Sequence, residues 1–300
     1  MSKNTIRIKT GDRIFDLVNI IFLALCFLVV FLPLLNIVSQ SVSDPASVLA
    51  GKVILLPKKP TLISYERILS NSVIISGFAN SALITSLGTI LSVSLTIMAA
   101  YPLSRKTLIG RNAIMWYFVF TMLFNGGLIP TYLVVKDFGM IDKYMALIIP
   151  NAISVWNIVI ARTFFINTIP NEFYEAATID GSSDIRTFIQ IVLPVSKPIL
   201  AVLTLFYAVG IWNSYFDAMI YLKSQPKFPL QLVLRNVLIS SQLQAQMIES
   251  RGVSDSSQSL AMAEALKYAV IVFSSLPLLI LYPFIQKYFV KGIMIGAIKG

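Results

Sequence analysis

Pro170-Asn171-Glu172-Phe173-Tyr174-Glu175-Ala176-Ala177-Thr178-Ile179-Asp180-Gly181, continued by Ser182-Ser183-Asp184-Ile185-Arg186-Thr187-Phe188-Ile189-Gln190-Ile191-Val192-Leu193-Pro194, is a polar, helix-forming segment set in a largely apolar chain. Asn171 is placed to cap a helix start, with Glu172 and Glu175 near its positive end. Glu172, Phe173, Ala176 and Ala177 fall on its first turns. Gly181 can leave that helix with positive φ. Ser182, Ser183 or Asp184 can cap a second helix through Ile185, Phe188, Ile189 and Val192, which Pro194 should end. The reading is a helix-turn-helix in a loop between two membrane spans.

The rest of the chain supports the membrane setting. It has 300 residues, 56% hydrophobic and 13% charged, with a mean hydropathy of +0.78. A soluble protein carries about a quarter charged residues. Histidine is absent, which removes histidine metal sites, Ser-His-Asp triads and histidine proton relays. Cys26, the single cysteine, lies in an apolar run, so there is no disulfide framework. The net charge of +10 comes from basic residues at membrane flanks. They suit anionic lipid headgroups rather than nucleic acid.

In chain order, residues 1–13 form a basic N-terminus with Lys3, Arg7, Lys9 and Arg13. An apolar run over about 14–38 is too long for a signal-peptide core and reads as the first span, with Pro33 near its outer end. Residues 39–76 are too polar to span and should form an extracytoplasmic cap. A second span covers about 77–100, rich in small residues that suit close helix packing. Arg105, Lys106 and Arg111 lie in a short basic loop. A third span, about 113–135, is interrupted by Asn125-Gly126-Gly127 and Pro130. The fourth, fifth and sixth cover about 144–165, 199–222 and 266–289, which bounds a six-span domain at 14–289. The stretch 223–265, rich in Ser and Gln, reads as an outer surface loop, part of it contacting an external binding protein. The N-terminus, the loop 102–112 and the end from Gln286 to Gly300 carry four, three and three basic residues, which places both termini and the loop 170–195 in the cytoplasm.

Glu175-Ala176-Ala177-x3-Gly181-x9-Ile191-x-Leu193-Pro194 resembles the signature of the permease subunit of binding-protein-dependent ABC importers, matching at every motif position. The resemblance implies that these seven residues form a coupling helix that docks into a groove on a separate ATPase. The small Ala176 and Ala177 would admit close backbone approach, and Glu175 would take charge-assisted hydrogen bonds there. The segment from Gln286 to Gly300 is similar to the C-terminal end of maltose-type carbohydrate permeases. It implies that Lys291, Gly292, Gly296 and Lys299, in the tail 290–300, contact the ATPase. Phe124-Asn125-Gly126-Gly127-Leu128-Ile129-Pro130-Thr131 also looks like the oligosaccharide branch. Overall resemblance extends to permeases for plant- or algal-polysaccharide fragments, uronic-acid oligosaccharides among them.

The chain carries no phosphate loop, since Gly51-Lys52 is followed by Val53 in the wrong context. No catalytic residue, metal site or bound cofactor is expected. ATP and Mg belong to a partner. Polar residues inside spans face a bundle interior or a cavity by default. Trp212, Asn213, Tyr215 and Asp217 are therefore the candidate substrate path, with Asn125 weaker. Asn80 and Asn157 are also weaker, with helix–helix hydrogen bonding as the competing role. Interfacial anchoring competes for Trp212 and Tyr215.

The sequence thus reads as an all-α, integral-membrane permease of a bacterial cell-membrane importer for oligosaccharides, working by alternating access. The expected partners are a second, homologous permease, two ATPase subunits, an extracytoplasmic solute-binding protein and the lipid bilayer. The rival readings are a permease for peptides or amino acids and an ion-coupled carrier. The sugar-type tail and the Asn-Gly-Gly segment argue against the first. The lack of histidine and of clustered intramembrane carboxylates argues against the second.

Overall fold

A computed structural model describes residues 10–251 and 257–297, and among them every regular element is a helix. The chain opens with α1, Thr10–Ser41, which encloses the first expected span and runs on through Pro33 instead of ending near it. Its apolar residues from Ile14 to Leu34 are exposed all round. A helix apolar on every face needs lipid or another membrane protein about it.

The polar stretch that follows is folded. Asp44 Oδ2 accepts from Ser47 N (3.1 Å) and caps α2, Pro45–Leu49, while Tyr65 of α3, Ile63–Ser70, donates its hydroxyl to Ser41 Oγ (2.9 Å). Asn71 then caps α4, Ser72–Ser104, the longest uninterrupted helix of the chain's centre, which encloses the second expected span.

The next two spans are broken. The expected 113–135 span is α5, Arg111–Leu123, and α6, Leu128–Asp137, bent by 110° at Asn125-Gly126-Gly127. Gly127 has a φ of +90°, which glycine adopts without Cβ strain. The expected 144–165 span is not one helix. The short α7, Met145–Ile148, is separated from α8, Val155–Thr168, because Pro150 breaks the ladder and Ser154 starts a new cap.

The motif loop holds α9, Asn171–Ile179, then α10, Asp184–Thr187, a π-helical turn Phe188–Val192 and α11, Leu193–Val195. A 79° bend leads into α12, Lys197–Asn213. The expected 199–222 span stops at Asn213, whose Nδ2 donates back to Val209 O (2.9 Å), and resumes as α13, Phe216–Tyr221. The stretch 223–265, read as a surface loop, contains a 22-residue helix, α14, Leu230–Arg251. Finally α15, Ser257–Ala297, passes through Pro277 and Pro283 and encloses the sixth expected span.

Three described helical stretches are long and apolar enough to cross a membrane alone: Gly11–Ser41, Ser72–Ser104 and Leu260–Pro283. The two bent pairs raise that to five. A sixth crossing needs α8, whose 14 residues reach only about 21 Å against a hydrocarbon core of about 30 Å.

Contacts divide the chain into two compact units. One, residues 1–70 with 237–273, centres on Val48, Val53 and Ala265, with Tyr268 against them. The other, 71–236 with 274–300, has α4 as its axis. Its core joins Ile97, Ala100 and Leu103 of α4 to Ile158 and Phe165 of α8 and to Ile199 and Leu203 of α12. Small residues permit that approach: a Cβ at Gly88 would lie 2.9 Å from Ile211 Cδ1 on α12. The Tyr207 hydroxyl knots three elements, pairing with Thr96 Oγ1 (2.6 Å) and accepting from Ser154 N (3.1 Å).

Candidate functional site

The helix pair at 171–195 is built by its backbone signals. Pro170 occupies the cap position, so Asn171 is the first helical residue and the capping bond expected of it is not made. At the other end Gly181 takes a φ of +71°, Gly181 N bonds Thr178 O (3.0 Å) and Ser182 N bonds Ala177 O (2.9 Å). That is the Schellman closure, which needs a residue without Cβ at the left-handed position. Ser183 Oγ accepts from Arg186 N (3.3 Å) and caps the second helix. Pro194 does not end it. The π turn immediately before Pro194 absorbs the missing N–H, and the helix breaks only at the fully buried Ser196.

The motif residues divide by face. Ala177 is buried, where a larger side chain would not fit, while Glu175, Ala176, Gly181 and Pro194 are exposed and Ile191 and Leu193 are half-buried. Around them stand apolar side chains with no cover: Ile179 is 86% exposed, Ile185 73% and Ile189 55%, with Phe173 beside them. An exposed apolar surface rimmed by Glu175 and Arg186 is the mark of a docking face.

Tyr174 holds this pair to the body of its unit. It is buried, and the Arg105 guanidinium carbon lies 3.3 Å from its ring centroid. Burial raises its hydroxyl above the ordinary value, against the pull of the Arg105 charge. Tyr101 lies tilted against Phe188 (4.7 Å) and meets Phe165 edge-on (5.9 Å), and Arg162 Nε donates to Leu103 O (3.0 Å). The basic loop after α4 thus clasps the motif helices. Sequence reasoning counted Arg105 only as a charge. The available signal was Tyr174, three residues before the buried Ala177 and on its face.

A second feature lies deeper in the same unit. A cavity of about 290 Å³ opens between α4, α8, α12 and α13. Asp217 lines it, its Oδ2 accepting from Asn151 Nδ2 (2.7 Å), together with Thr85, Ser154, Asn157 and Gly210. Of the substrate-path candidates, Asp217 and the weaker Asn157 line this cavity. Trp212 is buried in helix packing, its indole N–H donating to Ser274 O (3.0 Å) and its ring edge-on to Phe78 (5.6 Å). Asn213 is turned to its own helix, and Tyr215 is exposed with the Arg235 guanidinium 5.8 Å over its ring. Asn125 is exposed at the helix break, accepting from Gly127 N (2.8 Å). Asn80 clamps a loop, donating to Pro226 O (2.8 Å) and Phe228 O (3.1 Å). Thr85, Asn151 and Ser154 were missed because short polar residues inside apolar stretches read as packing residues.

A third cluster fixes a loop. Asp142, at a φ of +59°, accepts from Lys227 Nζ (2.8 Å), Ser224 Oγ (2.7 Å), and the backbone N–H groups of Lys223 and Ser224 (both 3.0 Å). The Lys227 ammonium and these donors hold its carboxyl well below the usual carboxylate range. Among the described residues no group of carboxylate or thiol side chains is arranged to hold a metal. Of the tail residues, Lys291, Gly292 and Gly296 belong to α15, and Lys299 lies outside the described residues.

The model of the family described as binding-protein-dependent transport system inner membrane component matches residues 6–295. The Polygalacturonan/rhamnogalacturonan transport system permease protein YtcP of Bacillus subtilis (strain 168) is 42% identical, over 96% of this chain and 99% of that one. Protein LplC of the same organism is also 42% identical, over 99% of each chain. The Melibiose/raffinose/stachyose import permease protein MelC of that organism is 29% identical, over 75% of this chain and 76% of its own. Among solved structures, a bacterial ABC transporter involved in the import of the acidic polysaccharide alginate superposes with a TM-score of 0.83 at 33% identity. It covers 95% of this chain and all of its own.

Proposed function

Because the chain belongs to the inner membrane components of binding-protein-dependent transport systems, we propose that it is the permease subunit of an ABC importer for oligosaccharides, with residues 171–195 as its seat on the ATPase. It is a transport subunit and not an enzyme. The observation that carries the coupling role is the uncovered surface around Glu175, Ala176 and Gly181, flanked by exposed Ile179 and Ile185. An apolar face this bare in a polar loop is completed by a partner.

The seat works by shape and by attachment. Ala176 and Gly181 leave the backbone open to close approach, and Glu175 offers a carboxylate to donors in the groove. Movement of the ATPase passes through α9 into Tyr174, and from there to Arg105 and Tyr101 at the end of α4. Since α4 is the axis of its unit, a tilt of the hairpin is carried toward the cavity rather than absorbed in a loose loop. Alternating access follows, with the hairpin moved on one side of the membrane and a solute-binding protein delivering on the other. A second permease, two ATPases and ATP with Mg on those ATPases complete the assembly. Both termini lie in the cytoplasm, and the tail around Lys291, Gly292, Gly296 and Lys299 adds to the ATPase contact. The oligosaccharide substrate class rests on the names of the relatives.

The test is uptake into proteoliposomes by the assembled transporter carrying Glu175→Lys. Loss of ATP-driven uptake with normal membrane insertion supports the seat. Uptake at the wild-type rate would sink it.

A further inference from the structure

The cavity beside Asp217 holds more polar groups than helix packing needs. Thr85 Oγ1 is buried without a hydrogen-bond partner, although a helical threonine ordinarily bonds back to a carbonyl of its own helix. Asn157 is only 6% exposed, lines the cavity, and its side-chain amide meets no hydrogen-bond partner among the described residues. Asp217 gives Oδ2 to Asn151 and keeps Oδ1 without a partner among the described residues. Buried donors and acceptors left unpaired are costly and rare. The buried Thr85 hydroxyl, beside the Asn157 amide open to the cavity and the half-exposed Asp217 carboxylate, marks a place built for something that hydrogen-bonds.

The walls specify that partner further. Ile84, Phe206 and Ile211 add apolar surface to the same lining, and a pyranose ring, with its C–H face and hydroxyl edge, uses both kinds of wall. About 290 Å³ sits at the small end of ligand cavities, which suits one ring rather than several. Charge decides the class. Asp217 is the single charged side chain among the lining residues, and none of them is basic. A carboxylate accepts sugar hydroxyls in strong, charge-assisted hydrogen bonds. It repels a second carboxylate a few ångströms away by about tenfold in affinity or more.

We propose that this cavity is a subsite for one neutral, hydroxyl-rich sugar unit of the transported oligosaccharide, and that Asp217 excludes a uronate unit from it. The inference rests on the oligosaccharide-importer reading above. It sets this chain's own selectivity apart from the acidic polysaccharides named for YtcP and for the solved relative.

The experiment uses the complete transporter in proteoliposomes with its binding protein saturated by a neutral or a uronate oligosaccharide of equal length. Loading of the binding protein is verified separately, so that delivery is equal. In the wild type the neutral sugar should enter faster. Asp217→Asn should slow neutral uptake severalfold and cut the neutral-to-uronate rate ratio about tenfold, whereas an unchanged ratio overturns the proposal. Gly210→Leu serves as the second variant, since a Cβ at Gly210 meets nothing within 4 Å and the side chain has room to fill the cavity. With the complex assembled and its ATPases retained, it should lower neutral uptake at least about tenfold, and full uptake overturns the subsite. Wild-type transporter that moves neither sugar would instead defeat the importer reading itself.

Discussion

Gly181 sits at a φ of +71° with open space where a Cβ would stand. Two substitutions there separate backbone strain from docking. Gly181→Ala should cost about 1 kcal/mol of local stability through the left-handed φ and leave part of the uptake. Gly181→Asp adds a charge to the docking face and should abolish uptake while the protein still inserts in the membrane. Matched uptake of the two variants would assign the whole effect to strain. At Arg105, replacement by Ala removes the guanidinium from the Tyr174 ring, an interaction of about 1 kcal/mol. Amide hydrogen exchange over residues 171–181 should then speed up, with uptake falling severalfold. Unchanged exchange would show that the stack does not anchor α9. Asp142 offers a test with a definite sign. Its folded pKa is depressed, so its contribution is present above the unfolded value near 3.8 and is lost only in stronger acid. Asp142→Asn keeps a side chain that tolerates the left-handed backbone. It should lower the melting temperature by a few degrees, equally at pH 5 and pH 8.

At the scale of elements, α4 carries the packing. Gly88→Leu would drive a side chain into Ile211 of α12, whose Cδ1 stands 2.9 Å from the added Cβ. Overpacking of that kind costs about 1–3 kcal/mol, and the variant should purify with a lower melting temperature. A melting temperature at the wild-type value would mean that the α4–α12 interface yields freely. The elements also show how far sequence reasoning reaches. Long, strongly apolar stretches such as α1, α4 and α15 were legible because composition alone decides them. The breaks at Pro150 and at Ser214 were not, since hydropathy averaged over a span hides one proline or one backbone turn. The stretch 223–265 reads as loop because it is rich in Ser and Gln, yet Leu230 N bonds Ser81 Oγ (2.8 Å) and starts a helix. Tertiary contact overrode composition there. Gly181 was legible because its left-handed turn is a local requirement. The burial of Trp212 depends on Ser274, 62 residues away, and no local pattern shows it.

At the scale of the whole molecule, two surfaces ask for partners: α1, apolar on all sides, and the 171–195 hairpin, apolar in a polar loop. Lipid or another membrane protein can cover the first, while the second asks for a protein partner. The hairpin was legible from its motif because Gly181 and the polar caps are local signals, while its bare apolar surface shows only in the fold. The cavity was only partly legible, through Asp217 and Asn157, because its remaining groups come from helices far apart in sequence. The most direct test of the coupling role is co-purification of the ATPase subunit with this chain from membranes, comparing wild type with Ile185→Asp. Ile185 is exposed and supports no core, so the substitution leaves the fold intact. The account predicts that the ATPase accompanies the wild type and is lost from the variant at equal membrane insertion. Equal recovery of the ATPase with both would contradict it.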